Sequence, residues 1–130
     1  MNQPQLAHTL PDTLPELAHA EPGTQFENPQ LVALNEPLAN ELGLDVAWLK
    51  SDDGLKFLSG GSGGHAMAYA AHQFGQFVPL LGDGRALLLG DTAGHEIQLK
   101  GSGLTAFSRP GTDGVGAIGP MLREHLVSTF

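Results

Sequence analysis

Apolar residues recur at Leu31, Leu34, Leu38, Leu42 and Leu44 in the stretch NPQLVALNEPLANELGL, close to the spacing of one face of an α-helix. Asn28 suits the N-cap, Pro29 the first turn and Gly43 the stop, so the pattern predicts helix between them. Pro37 predicts a kink or a division into two short helices, because proline lacks the N–H that interior helix positions bond. DVAWLKSDDGLKFLSGG continues as short helical turns punctuated by Asp52-Asp53-Gly54 and ends in the glycine-rich SGGSGG of residues 59–64. The period then changes. RALLLGD is unbroken apolar from Ala86 to Leu89 and reads as a strand buried on both faces. HEIQLK alternates, with Ile97 and Leu99 on one side and Glu96, Gln98 and Lys100 on the other. TAG joins the two strands as a hairpin with its glycine at position 94. After the loop GSGLTAFSRPGTDGVGAIGP, residues Ile118, Met121, Leu122, His125 and Leu126 share one helical face, with Pro120 suited to the first turn. The order predicts an α+β fold: short helices, then a small antiparallel sheet and a C-terminal helix.

Two compositional features extend this picture. Residues 1–27 carry four prolines and scattered acids, which predicts an extended arm on the surface, leaving 28–130 as the packed unit. The last helix reaches Phe130 with no glycine, basic turn or following proline, as expected of a chain cut short. With 130 residues, 41% of them hydrophobic, the chain has the size of one globular domain or part of one.

Charge and cysteine content exclude several functions. Six Lys plus Arg against fourteen Asp plus Glu give a net charge of −8, which repels a nucleic-acid backbone, so no nucleic-acid partner is expected. There is no cysteine, hence neither a disulfide framework nor a thiolate metal site. The N-terminus has neither the basic and apolar regions of a signal peptide nor an Arg-rich transit composition. No stretch reaches the roughly 18 apolar residues that a membrane span requires. A cytoplasmic protein without a membrane partner is expected.

Three constellations could carry chemistry. GDGR at 82–85 sets Gly82 and Gly84, which let a backbone approach an anion, beside Arg85, whose planar guanidinium suits phosphate oxygens; the plain alternative is a tight turn. Lys100 ends a strand on its polar face and Glu124 lies on a later helix, the arrangement by which kinases hold a lysine over ATP phosphates. The alternative is a solvated strand edge and an exposed acid. His65, His72 and His95 could bind zinc, or be ordinary hydrogen-bonded histidines. Ser102, Thr105 and Ser108 lack a nucleophile-elbow pattern and read as turn residues.

Taken together, NPQLVALNEPLANELGL, AYAAHQFGQFVPLLGDGRALLLGD, IQLKGSGLTAFSRPGTDG and MLREHL resemble, in sequence and spacing, the amino-terminal part of the SelO (YdiU) family, over about residues 25 to 127. That resemblance implies a protein-kinase-like fold, of which residues 28–130 form a partial N-lobe. It also implies an activity: ATP bound in inverted orientation, with AMP transferred to Ser, Thr or Tyr of target proteins. It assigns Gly82, Gly84, Arg85, Lys100, Asp113 and Gly114 as nucleotide contacts and Glu124 as the partner of the lysine. The implied cofactors are ATP and magnesium. The family's catalytic aspartate and its metal-holding asparagine and aspartate belong to a later portion, so no residue here is assigned as catalytic or as a metal ligand.

Several positions depart from the family pattern. Ala71 stands for a glycine, Leu81 for a glutamine, and Ala106 and Phe107 replace the proline and tyrosine of TPYSR. In GTDGVGAIGP, Thr112 is inserted and Val115 stands for an arginine, which removes a donor from the loop. Two readings follow: the nucleotide-binding portion of an adenylyltransferase, inactive by itself, or a non-catalytic remnant or interaction module of the same fold. An isolated lobe is expected to self-associate through its uncovered apolar faces.

Overall fold

A computed structural model describes residues 3–79, 86–108, 111 and 113–129. The chain forms α1 (Thr9–Thr13), a 3₁₀ turn (Pro15–Leu17), β1 (Ala18–Glu21), α2 (Glu36–Glu41), α3 (Val46–Leu49) and α4 (Asp52–Leu58). Then follow β2 (Gly64–Met67), β3 (Ala71–Gln73), β4 (Gln76–Val78), β5 (Ala86–Thr92), β6 (His95–Lys100) and α5 (Ile118–Thr129). The main sheet has the order β1-β2-β5-β6 with every pair antiparallel, and β3 and β4 form a separate hairpin. The fold is α+β, with a small antiparallel sheet and a C-terminal helix, as the pattern predicts.

The helical stretch departs from its leucine spacing. Helix begins only at Glu36, because the Asn35 side chain accepts from the Leu38 N–H (3.1 Å) and Pro37 then occupies the first turn, where its missing donor costs nothing. Pro37 therefore starts a helix instead of kinking one. Asn28 caps nothing, and Leu34 reaches the core from non-helical chain. Gly43 ends α2 as predicted. At φ 73° it lets its own N–H bond Asn40 O (3.1 Å) while Leu44 N–H bonds Ala39 O (2.8 Å), the paired pattern that satisfies a helix's last carbonyls. Asp52 and Asp53 do not punctuate the chain: Ser51 caps α4 through the Gly54 N–H (3.2 Å), and the two acids sit in its first turn, where the helix dipole favours them.

The three short helices bury Ala39, Leu49 and Phe57 against Leu87 and Leu89 of β5, with Trp48 edge-on to Phe57 at 5.6 Å. Ala86 through Leu89 are all buried, and in β6 only Ile97 and Leu99 are partly covered while their neighbours face solvent, so both strands behave as their patterns predict. The hairpin turn is the two residues Ala93 and Gly94, closing Thr92 against His95.

The N-terminal stretch is not a plain extended arm. Ala18–Glu21 pairs along its whole length with Gly64–Met67 as the edge strand of the sheet. Ahead of it, Ala7 exchanges both backbone hydrogen bonds with Asp91 (2.9 and 2.8 Å), and Thr9 donates its N–H (2.9 Å) and hydroxyl (2.8 Å) to the Asp91 carboxylate. Those two Thr9 bonds, the backbone one foremost, hold the Asp91 carboxyl below its ordinary value. Proline content alone misses this, because the partners lie far along the sequence.

Candidate functional site

Strand β6 delivers Lys100 to the end of the sheet, and α5 delivers Glu124 to meet it. The Lys100 Nζ donates to Glu124 Oε2 at 3.1 Å and to Oε1 at 3.3 Å. Both side chains are about half exposed, at 50% and 58%, so the pair is hydrated and the ammonium stays open to an anion. The residue opposite Lys100 in the sheet register is Ala86, which directly follows Arg85 in the chain. Gly82, Gly84 and Arg85 themselves lie outside the described residues.

The chain between Lys100 and α5 folds back on itself. Ser102 is buried and bridges Val115 in antiparallel fashion, and the Gly103 N–H donates to Gly114 O (3.1 Å). Asp113 turns its carboxylate onto the Val115 N–H (3.0 Å), which shapes the turn through Gly114. The N-terminal region holds this loop from outside: Thr24 N–H donates to Ser102 O (2.7 Å), and Glu21 Oε1 accepts from the Ala106 N–H (2.8 Å). The structure thus brings the Asp113-Gly114 turn onto the loop that leaves Lys100 and pairs Lys100 with Glu124. No local signal in the sequence marks Glu21 and Thr24, since their role exists only once β1 has joined the sheet.

Of the candidate hydroxyls, Thr105 and Ser108 shape a turn as expected, whereas Ser102 is buried in the bridge to Val115. Ser108 Oγ accepts from the Thr105 N–H (2.7 Å) and Thr105 Oγ1 from the Phe107 N–H (3.2 Å). The three histidines are apart in role: His65 meets the His8 ring at a tilt (5.2 Å), His72 the Phe77 ring likewise (5.3 Å), and His95 donates from Nδ1 to Ala93 O (2.9 Å). Among the described residues no three His, Asp or Glu groups gather as a metal ion would require. A cleft of about 780 Å³ lies between residues 3–8 and residues 61–65, with Glu21, His8 and His65 in its walls. Its described lining contains neither lysine nor arginine, which does not suit a polyphosphate.

His65 supplies a pH dependence. Burial foremost, then the neighbouring His8, lowers its pKa below the ordinary 6.5, while Asp12 opposes. The folded chain therefore prefers the neutral ring, so this stabilisation is present above 6.5 and is lost as the pH falls through the lowered value. Thermal melts from about pH 8 to about pH 5 are expected to show falling stability, and His65→Gln to flatten that fall. An unchanged slope in the variant would remove His65 as its source.

Comparison with known proteins shows the chain's family. The chain is 54% identical over 125 residues to the protein nucleotidyltransferase YdiU of Mycolicibacterium paratuberculosis, an alignment covering 88% of this chain and 25% of the relative. It is 54% identical over 129 residues to the protein of that name in Rhodopseudomonas palustris, covering 92% and 25%. In Methylorubrum populi the figure is 57% over 115 residues, covering 81% and 23%. These relatives carry the name of a nucleotidyltransferase class. More specifically, the family model of the protein adenylyltransferase SelO matches residues 3–130, and the chain belongs to that family. It spans about a quarter of the length of the curated relatives it matches. Among the described residues no helix is long and apolar enough to cross a membrane.

Proposed function

We propose that this chain is the nucleotide-binding portion of a protein adenylyltransferase, part of a kinase-like lobe that holds ATP for AMP transfer to Ser, Thr or Tyr of cytoplasmic proteins. The observation that carries the reading is the Lys100–Glu124 pair at 3.1 Å, at the end of the strand whose partner begins directly after GDGR. Glu124 keeps the ammonium in place without neutralising its access to solvent, and a triphosphate arriving there meets a fixed cation in an otherwise acidic chain. Gly82, Gly84 and Arg85 supply backbone and guanidinium donors to the phosphates, and Asp113 with Gly114 shapes the second loop around them. In adenylyl transfer a target hydroxyl oxygen bonds the α-phosphorus, the bond to the β-phosphate breaks and pyrophosphate leaves. No group of this chain is assigned as the base that takes the hydroxyl proton.

Magnesium, when bound, offsets the triphosphate charge. The described residues offer it no clustered ligand set, so the roles above belong to the chain's own lysine, arginine and backbone. Exposed Ile118 and Leu126, each 65% accessible, support self-association of the chain on its own.

The test is ATP-dependent thermal stabilisation of the chain. Wild type is expected to melt higher with ATP, and Lys100→Ala to bind about tenfold more weakly through loss of a charge-assisted contact. Equal ATP affinity in the two proteins would remove Lys100 from the site. No ATP-dependent shift in the wild type would favour a non-catalytic remnant, a reading to which Val115, in place of the family's arginine, already lends support.

A further inference from the structure

The Lys100–Glu124 pair joins two elements whose connection, 101–117, is closed by the Ser102–Val115 bridge; the bridge returns the chain beside β6 with two residues left before α5 but does not set the rotation of the helix about its axis. A half-exposed ion pair is also a weak anchor against water. Among the described residues helix α5 has little apolar packing: Ile118, Leu122, Leu126 and Val127 are exposed, His125 is half-buried, and Met121 is its one partly buried aliphatic side chain. The Met121 thioether lies across two glycines. A methyl placed on Gly101 would stand 2.5 Å from Met121 Cε, and one on Gly116 would stand 2.6 Å from Sδ and overlap Cε. Gly101 and Gly116 are brought side by side by the Ser102–Val115 bridge and the Gly103-to-Gly114 hydrogen bond, so the receptor is built from both ends of the loop. Methionine, unbranched and polarisable, fits such a shallow irregular slot.

We infer that Met121 is a positioning residue, a wedge seated on Gly101 and Gly116 that sets the placement of α5 and so brings Glu124 within reach of Lys100. Met121 and Glu124 are three positions apart and share one side of the helix. Gly101 directly follows Lys100, so the wedge ties the helix to the residue next to the lysine. This role rests on the reading of Lys100 as a nucleotide contact only for its effect on ATP, not for the geometry itself.

The experiment compares Met121→Ala, Met121→Leu and Gly116→Ala in the whole chain, with two readouts. In ATP affinity, Met121→Ala is expected to lose about three- to tenfold, and Met121→Leu, which has no atom at the Cε position, to fall between Met121→Ala and wild type. Gly116→Ala, whose added methyl pushes the thioether away, is expected to lose a similar factor but to add nothing in the Met121→Ala background. In NMR spectra, cross-peaks between the Lys100 ε and Glu124 γ protons are expected in wild type, weaker in Met121→Leu and absent in Met121→Ala. If Lys100→Ala lowers ATP affinity while Met121→Ala does not, the wedge is overturned. If Lys100→Ala leaves ATP affinity unchanged, the nucleotide reading fails and the cross-peaks alone decide: their survival in Met121→Ala overturns the wedge, and their loss supports it.

Discussion

Leu87→Ala is expected to destabilise the chain by about 3 kcal/mol, because it removes a fully buried branched side chain and leaves a cavity that neighbouring backbone cannot fill. Leu87 is 1% accessible, sits mid-strand in β5 and packs where the helices bearing Leu49 and Phe57 meet the sheet. Its neighbour across the hairpin is Leu99, one residue before Lys100, so the same loss loosens the strand that carries the lysine. In a chain of this size the change corresponds to roughly 10 °C in melting temperature. Val127→Ala, at a position 79% accessible, is the contrast and is expected to shift the melt very little. Calorimetric melts of both variants check the claim. Equal melting temperatures for Leu87→Ala and wild type would mean that the helices do not pack on β5 as described.

What was legible in the sequence divides along the locality of the interactions. The β5–β6 hairpin was readable because its signals are internal: an apolar run, an alternation, and a tight turn between them. Strand β1 was not readable, since AHAE carries no pattern and acquires strand geometry only from β2, more than forty residues later. Leucine spacing overstated α2, because Leu34 and Leu44 reach the core from outside the helix while Leu38, inside it, stays exposed at 45%. Spacing records which residues seek the core, not which backbone conformation delivers them. In the site, residue type and element order put Lys100 and Glu124 forward as a candidate pair beside the plainer reading of a solvated strand edge and an exposed acid, and the family resemblance chose between the two. Met121 could not be singled out, because its seat on Gly101 and Gly116 exists only after the loop between them has closed.

Gly114→Ala is the second large effect expected, about 2 to 3 kcal/mol of local stability, and it separates two roles that the sequence merges. The sequence resemblance makes Gly114 a nucleotide contact. The structure adds a conformational reason for glycine: φ is 71°, which strains any residue with a Cβ, and a methyl here would stand 2.6 Å from Leu104 N and overlap the Gly103 carbonyl carbon. Those neighbours are backbone, so no rotamer change relieves the contact. The Gly103-to-Gly114 hydrogen bond and the Ser102–Val115 bridge must open, and with them the slot that seats Met121. Hydrogen exchange at the Gly103 amide is therefore expected to accelerate in Gly114→Ala without any nucleotide present, and ATP affinity to fall with it. If affinity falls while that amide stays protected, Gly114 acts by direct contact with the nucleotide and not through the loop. If both change together, the glycine serves the site by letting the two ends of the loop meet, which makes it a condition for the Lys100–Glu124 geometry as well.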